Sequence, residues 1–221
     1  MTRTARTIAL QTSVAAALLA AATSAASAHP HIFADARLEI ETNASGKIAE
    51  LRNVWRFDEV FSSSVVIDFD TNKNATMDPD ELHHVAKIVT DSLADFNYFA
   101  SITDNGKDIK VQPPKAMVAN YDDGQLLLIF AVEPAEPVNL KGNVKVGIYD
   151  PTMYTAIDFM NDDDLVVTGP EAGKCGTQVV RPDPDEVLAQ NQASLTEAFF
   201  NDPAGTDLSK LFATRIELDC K

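Results

Sequence analysis

Past residue 30, apolar and polar positions alternate in short runs parted by turn residues, and three stretches with helical spacing interrupt them. Residues 32–40 and 48–57 read as strands around a turn at Asn43-Ala44-Ser45-Gly46, so this part of the chain opens with a hairpin. From Asp58 the spacing turns helical to about residue 69. Pro79-Asp80-Glu81 then starts an amphipathic helix reaching about residue 96, with proline and acids in its first turn. Strands follow at 99–103 and 109–112 around Asp104-Asn105-Gly106-Lys107, whose Asn-Gly pair is a hairpin signature. A second hairpin joins 115–121 to 125–132 through Asp122-Asp123-Gly124, and shorter strands are expected at 144–149, 156–160, 165–168 and 178–181. Pro182-Asp183-Pro184 launches a helix to about residue 200, and 216–220 closes the chain as a strand. The expected fold is α+β, mainly antiparallel and sandwich-like, with a helix-loop-helix insertion over about 58–96 and a C-terminal helix.

The first 28 residues follow another pattern. Arg3 and Arg6 are their only charges, an Ala-rich apolar run follows, and Ala26-Ser27-Ala28 fits the small-x-small cleavage pattern of a secretory signal. The apolar run is shorter than the roughly 18 to 20 residues that span a bilayer. Export across the inner membrane to the periplasm and cleavage after Ala28 are therefore expected, leaving residues 29–221 as a single domain. The new terminus would be His29-Pro30-His31. A free α-amine and the His29 imidazole can chelate one ion, and His31 lies two residues on, on the same side of an extended chain. A histidine in third place often marks a square-planar site that uses backbone amide nitrogens, but Pro30 has no N–H to give up. What remains is a chelate of amine, His29 and His31 suited to nickel, cobalt, copper or zinc. The alternative is a pair of solvated histidines at a frayed end.

Charge narrows the partners. The sequence carries 18 Lys and Arg against 33 Asp and Glu, a formal charge of −15, and loss of Arg3 and Arg6 would deepen it by two. Such a surface repels nucleic acid and anionic lipid. No second apolar run could cross a membrane, so the mature chain is expected to have no transmembrane segment. The two cysteines, Cys175 and Cys220, read as a disulfide in an exported protein. It would close a loop of about 45 residues, worth about 4 kcal/mol in the chain-entropy picture.

One loop has chemistry-bearing spacing. With Asp70 as position one, Asn72, Asn74, Thr76, Asp78 and Glu81 fall at positions three, five, seven, nine and twelve of an EF-hand-like calcium loop. A tight loop presents alternate oxygens inward, Thr76 through its backbone carbonyl, and Glu81 can clamp with both carboxylate oxygens. Ala75 stands where glycine is usual, and a left-handed alanine costs about 1 kcal/mol. The two neutral asparagines lower the charge of the set and weaken its hold on calcium. His83 and His84 are adjacent on a helix, so they point about 100° apart and do not readily share an ion. Neither a G-x-S-x-G elbow nor an H-E-x-x-H helix is present. A non-enzymatic protein is expected. Trp55, Phe57, Tyr98 and Phe99 are expected in the core, and Asp162-Asp163-Asp164 in a turn.

In order along the chain, His29-Pro30-His31-Ile32-Phe33, Trp55-Arg56-Phe57-Asp58-Glu59-Val60-Phe61, the loop from Asp70 to Leu82, Asn97-Tyr98-Phe99 and Tyr149-Asp150-Pro151-Thr152 resemble the exported bacterial family called domain of unknown function 1007. The resemblance spans nearly all of residues 29–221. Members are labelled periplasmic components of an uncharacterised ABC-type transport system and are associated with nickel and cobalt permease-like membrane proteins. It implies a periplasmic accessory role in transition-metal transport, with a membrane metal permease or ABC-type transporter as partner. His29 and His31 match the family's start, and Asp70, Asn72, Asn74 and Glu81 match its acidic loop. The short chain departs from two-lobed solute-binding proteins. The competing expectation is a calcium-stabilised structural or interaction module whose ion site is the loop.

Overall fold

The computed structural model describes residues 30–201 and 209–220. Two sheets face each other. One has the order β5-β6-β2-β1-β8, with β9 also pairing β1, and the other runs β10-β11-β7-β3-β4. In the first are β1 (Ile32–Thr42), β2 (Ile48–Phe57), β5 (Met117–Asp122), β6 (Gln125–Val132), β8 (Thr155–Asp158) and β9 (Leu165–Thr168). In the second are β3 (Ala100–Asp104), β4 (Lys107–Ile109), β7 (Val144–Ile148), β10 (Cys175–Val180) and β11 (Arg215–Cys220). Helices α1 (Glu59–Phe69) and α2 (Pro79–Leu93) leave from β2, and α3 (Pro184–Asn201) follows β10. The pairing is antiparallel except that β8 and β9 lie parallel to β1. This is the expected α+β, sandwich-like architecture.

Alternation explains how the sheets meet. Along β1, Ala34, Ala36, Leu38 and Ile40 are buried while Asp35 and Arg37 face solvent. Leu126, Leu128, Phe130 and Val132 on β6 repeat the pattern, as do Val144 and Val146 on β7 and Ile216 and Leu218 on β11. These inward residues form one apolar cluster shared by both sheets. The four expected aromatics belong to it: Trp55, Phe57, Tyr98 and Phe99 are all buried. Trp55 packs on Phe99 and edge-on to Phe130, with ring centres 5.8 and 4.9 Å apart. Asn105-Gly106 and Asp123-Gly124 carry the positive φ values that two-residue hairpin turns require.

Three boundaries differ by three residues from the sequence pattern. Helix α2 ends at Leu93 rather than near residue 96, because residues Ala94–Phe99 form a 3-10 turn. Within it Asn97, Tyr98 and Phe99 all have φ near +55. A left-handed residue with a side chain costs about 1–2 kcal/mol. The turn is held by Asn97, whose Nδ2 donates to the Ala100 carbonyl (2.6 Å) and whose Oδ1 accepts the Val111 N–H (3.0 Å). Burial of Tyr98 and Phe99 offsets the rest, and raises the Tyr98 phenol above its ordinary value by desolvation. Strand β4 stops at Ile109, Val111 keeping only an isolated bridge to Pro134. Strand β10 starts at Cys175, three residues before the apolar pattern begins, since pairing with β11 extends to Cys220.

That last pair is covalent. Cys175 and Cys220 are register partners and form a disulfide, which ties the edge strand β10 to β11. Replacing both cysteines by serine should lower stability by about 4 kcal/mol or less, as expected for a loop of this length. Chemical denaturation of the purified protein with and without reductant measures it; identical midpoints would show that strand pairing alone holds the edge.

Candidate functional site

The start of β1 is anchored from both sides. On one side the Asp58 carboxylate accepts the Phe33 N–H at 3.0 Å, and the Asp58 N–H returns to the Phe33 carbonyl at 2.9 Å. The same carboxylate caps α1, accepting from Val60 and Phe61 (both 2.9 Å), so strand and helix share one residue. Ser62, fully buried one turn on, donates to the Asp58 carbonyl (2.7 Å) and accepts the Leu126 N–H (2.9 Å), locking α1 to β6.

On the other side stands the loop after β7. Asp150 is buried and its two oxygens gather the Thr152 N–H (2.8 Å), the Thr152 hydroxyl (2.6 Å) and the Thr155 N–H (2.8 Å). The turn so fixed presents the Tyr154 carbonyl to the His31 N–H at 2.9 Å and the Ile32 N–H at 3.3 Å. The Tyr154 ring lies 4.9 Å from the His31 ring, centre to centre, tilted by 43°. His31 is exposed and Tyr154 half-exposed. His29 and the expected signal segment, residues 1–28, lie outside the described residues. The structure thus brings together three segments far apart in sequence: the start of β1, the Trp55–Phe61 stretch and the loop beginning at Tyr149. Sequence reasoning missed Asp58, Asp150 and Tyr154 as parts of this cluster. The first two sit inside motifs already noticed, and a turn-forming Asp-Pro-Thr was the available signal for the third.

The acidic loop forms a second constellation between α1 and α2. Asp70 accepts from the N–H groups of Asn74 (3.2 Å) and Ala75 (2.7 Å), which curls the loop around its first residue. Asn72 and Asn74 accept from the N–H groups two positions on, the latter also from the Thr76 hydroxyl. Ala75 sits at φ +60, the conformation for which glycine is the usual choice, and Lys73 at φ +61. The Asn72 and Asn74 side-chain amides both donate to Asp78, at 2.6 and 3.1 Å. Glu81 is buried, with Oε1 accepting from the N–H and hydroxyl of Thr71 (2.7 and 2.8 Å) and Oε2 from the Asp78 N–H (3.0 Å). The Asp78 N–H first, then the Thr71 hydroxyl, hold the Glu81 carboxyl below its ordinary range against the opposing effect of burial. The six spaced residues therefore converge as one hydrogen-bonded loop. His83 and His84 follow on α2, both exposed, with His84 edge-on to Phe69 at 5.8 Å.

Among the described residues no three His, Cys, Asp or Glu side chains come together as a metal-holding group, and no helix is long and apolar enough to cross a membrane. Asp162–Asp164 forms a short 3-10 turn, as expected for that acidic run, and Arg181 pairs with Asp158 and Asp162 beside it. Fold and sites define a disulfide-closed, acidic α+β protein with an anchored N-terminal strand and an Asx-rich loop between two helices. The chain belongs to the family described as Protein of unknown function (DUF1007), whose model it matches over residues 14–220. No curated protein and no solved structure matches it.

The Glu81 carboxyl links the loop to acid stability. Its folded pKa is lowered, so its contribution is present above the unfolded value and is lost as pH falls through the folded one. Melting temperatures should therefore fall more steeply below about pH 4.3 in the wild type than in Glu81→Gln. Parallel acid profiles for the two proteins would remove Glu81 from the account.

Proposed function

We propose that this protein is a non-enzymatic periplasmic accessory protein of a transition-metal transport system, with the processed N-terminus as its metal contact. The observation that carries this reading is the double anchor of residues 31–33 by Asp58 and by the Tyr154 carbonyl. A frayed end loses its metal-binding geometry to conformational freedom. Here His31 leaves a strand paired on both edges, so an amine–imidazole chelate built on it gives up less freedom on binding. The donor set of amine, His29 and His31 suits nickel, cobalt, copper or zinc, and the acidic surface favours cations over anions. The family resemblance supports the setting, since members are often labelled periplasmic components of an uncharacterised ABC-type transport system. A membrane permease or ABC-type transporter is the partner this role requires.

Titrating correctly processed protein with nickel, copper and zinc tests it. A version with one extra residue before His29 should bind each metal at least about tenfold more weakly, since the amine is displaced from the chelate. Equal binding by the two forms would reject the N-terminal site.

The loop supports a second reading, calcium stabilisation. Ala75 already holds the left-handed conformation of the EF-hand turn, and Asp70 already accepts from positions five and six of the loop. Neutral Asn72 and Asn74 place the affinity in the weak range of extracellular modules, about millimolar. Heat denaturation in about 10 mM calcium (about ten times that affinity) should raise the midpoint relative to chelator, and Asp70→Asn should abolish the rise. An unchanged midpoint would leave the loop as a structural turn.

A further inference from the structure

We infer that the cavity between the outer face of the second sheet and the start of α3 binds a small zwitterion, an amino acid or dipeptide carrying one carboxylate and one ammonium. The cavity holds about 450 Å³, within the range of small-ligand sites, and shares no lining residue with the N-terminus or the loop between α1 and α2. Its floor follows from strand alternation. On β7, Val144 and Val146 turn into the core, so Lys145 and Gly147 belong to the outer face. The ladder sets Thr103 and Glu217 beside Lys145, and Ser101 and Arg215 beside Gly147. A Cβ at Gly147 would lie 2.7 Å from the Thr214 carbonyl oxygen, so glycine there lets β11 begin close against β7, with Arg215 on the floor. Lys210 reaches the same face from the turn Ser209–Leu211 and donates to the Thr103 hydroxyl at 3.1 Å.

Opposite charges line the two walls of this space. Lys145, Lys210 and Arg215 stand on the sheet side, and Asp183 and Glu186 on the helix side. The acids that pair with the three cations, Glu217 and Asp108, are not part of the lining. Lys145 and Arg215 share a single oxygen of Glu217, at 3.1 and 2.9 Å, so one carboxylate serves two cations and the floor keeps a positive charge in excess. In a chain of formal charge −15, such a wall departs from the general surface. Across from it, Asp183 is fixed at the start of α3 by accepting the Asp185 and Glu186 N–H groups, at 2.9 and 3.1 Å. Glu186 follows in the first turn and is exposed. Among the described residues no ion pair joins Asp183 or Glu186 to Lys145, Lys210 or Arg215. A carboxylate on the floor and an ammonium turned to the helix acids satisfy both walls at once. A simple anion or cation satisfies one wall and is repelled by the other. Val180, Val187 and Leu211 supply apolar lining for a ligand side chain.

Titration of the processed protein with leucine and with alanylleucine, followed by amide NMR shifts, tests the inference. EDTA is present throughout, so that no metal complex at the N-terminus takes part. At least one probe should bind with a dissociation constant of about a millimolar or tighter, and the tighter of the two distinguishes amino acid from dipeptide. The N-acetyl and the C-terminal amide forms of that probe, each lacking one charge, should bind about tenfold more weakly or worse. Glu186→Gln and Arg215→Gln should weaken the unblocked probe by a similar factor. Equal binding of the free and N-acetyl forms would remove the helix acids from the site and overturn the zwitterion class. Equal binding of the free and amide forms would do the same for the floor cations. No shift with either probe at about 10 mM, ten times the expected constant, would overturn the site itself. The blocked probes decide the matter on the wild type even if Arg215→Gln folds poorly.

Discussion

Strand β1 is hydrogen-bonded along both edges, and the rest of the structure depends on its register. One edge pairs antiparallel with β2, the other in parallel with β8 and then β9. Because side chains alternate, a slip of one residue would turn Leu38 and Ile40 out of the core. The same slip would take Phe33 away from Asp58 and His31 away from Tyr154. Core packing and candidate site are therefore fixed by one ladder. Gly169 shows how closely the parallel edge is fitted: a Cβ there would lie 2.3 Å from the Thr42 carbonyl oxygen. The Thr42 hydroxyl completes the joint by donating to the Thr168 carbonyl at 2.7 Å.

Carboxylates do much of the local organisation. Asp58, Asp70, Glu81 and Asp150 each accept two or more hydrogen bonds, most from backbone N–H groups. Charge-assisted bonds of this kind are stronger than neutral ones and shape turns that the backbone alone leaves loose. The acidity of the chain is thus in part structural. Elsewhere acids are paired, as Asp108 is with Lys210, which holds the Asp108 carboxyl below its ordinary range.

Local structure was well marked in the sequence. Alternation located every strand to within a few residues, and Asn-Gly and Asp-Gly located two turns that the structure confirms by their positive φ. The cysteine pair foretold the disulfide, and the residues spaced from Asp70 to Glu81 hydrogen-bond with one another and their neighbours. Long-range relations were not legible. Nothing local tells β8 and β9 to add in parallel to β1, because that choice is made by which buried faces meet. The end of α2 was missed because Asn97, Tyr98 and Phe99 adopt a conformation their own preferences oppose, imposed by burial and by the two hydrogen bonds of Asn97. Tyr154 was missed for a related reason: its neighbour His31 is close only once the parallel edge has formed.

The two edges of β1 also differ in when they can form. The β2 edge closes across a four-residue turn, while the other waits until Thr155 and Leu165 are available to meet Ile32 and Leu38. Contacts of such high order are slow to find, since loop-closure entropy must be overcome before any bond is gained. The first hairpin can exist early with its outer edge bare, a template for adventitious strands. Completion of the His31–Tyr154 neighbourhood therefore has to wait for the parallel edge to close.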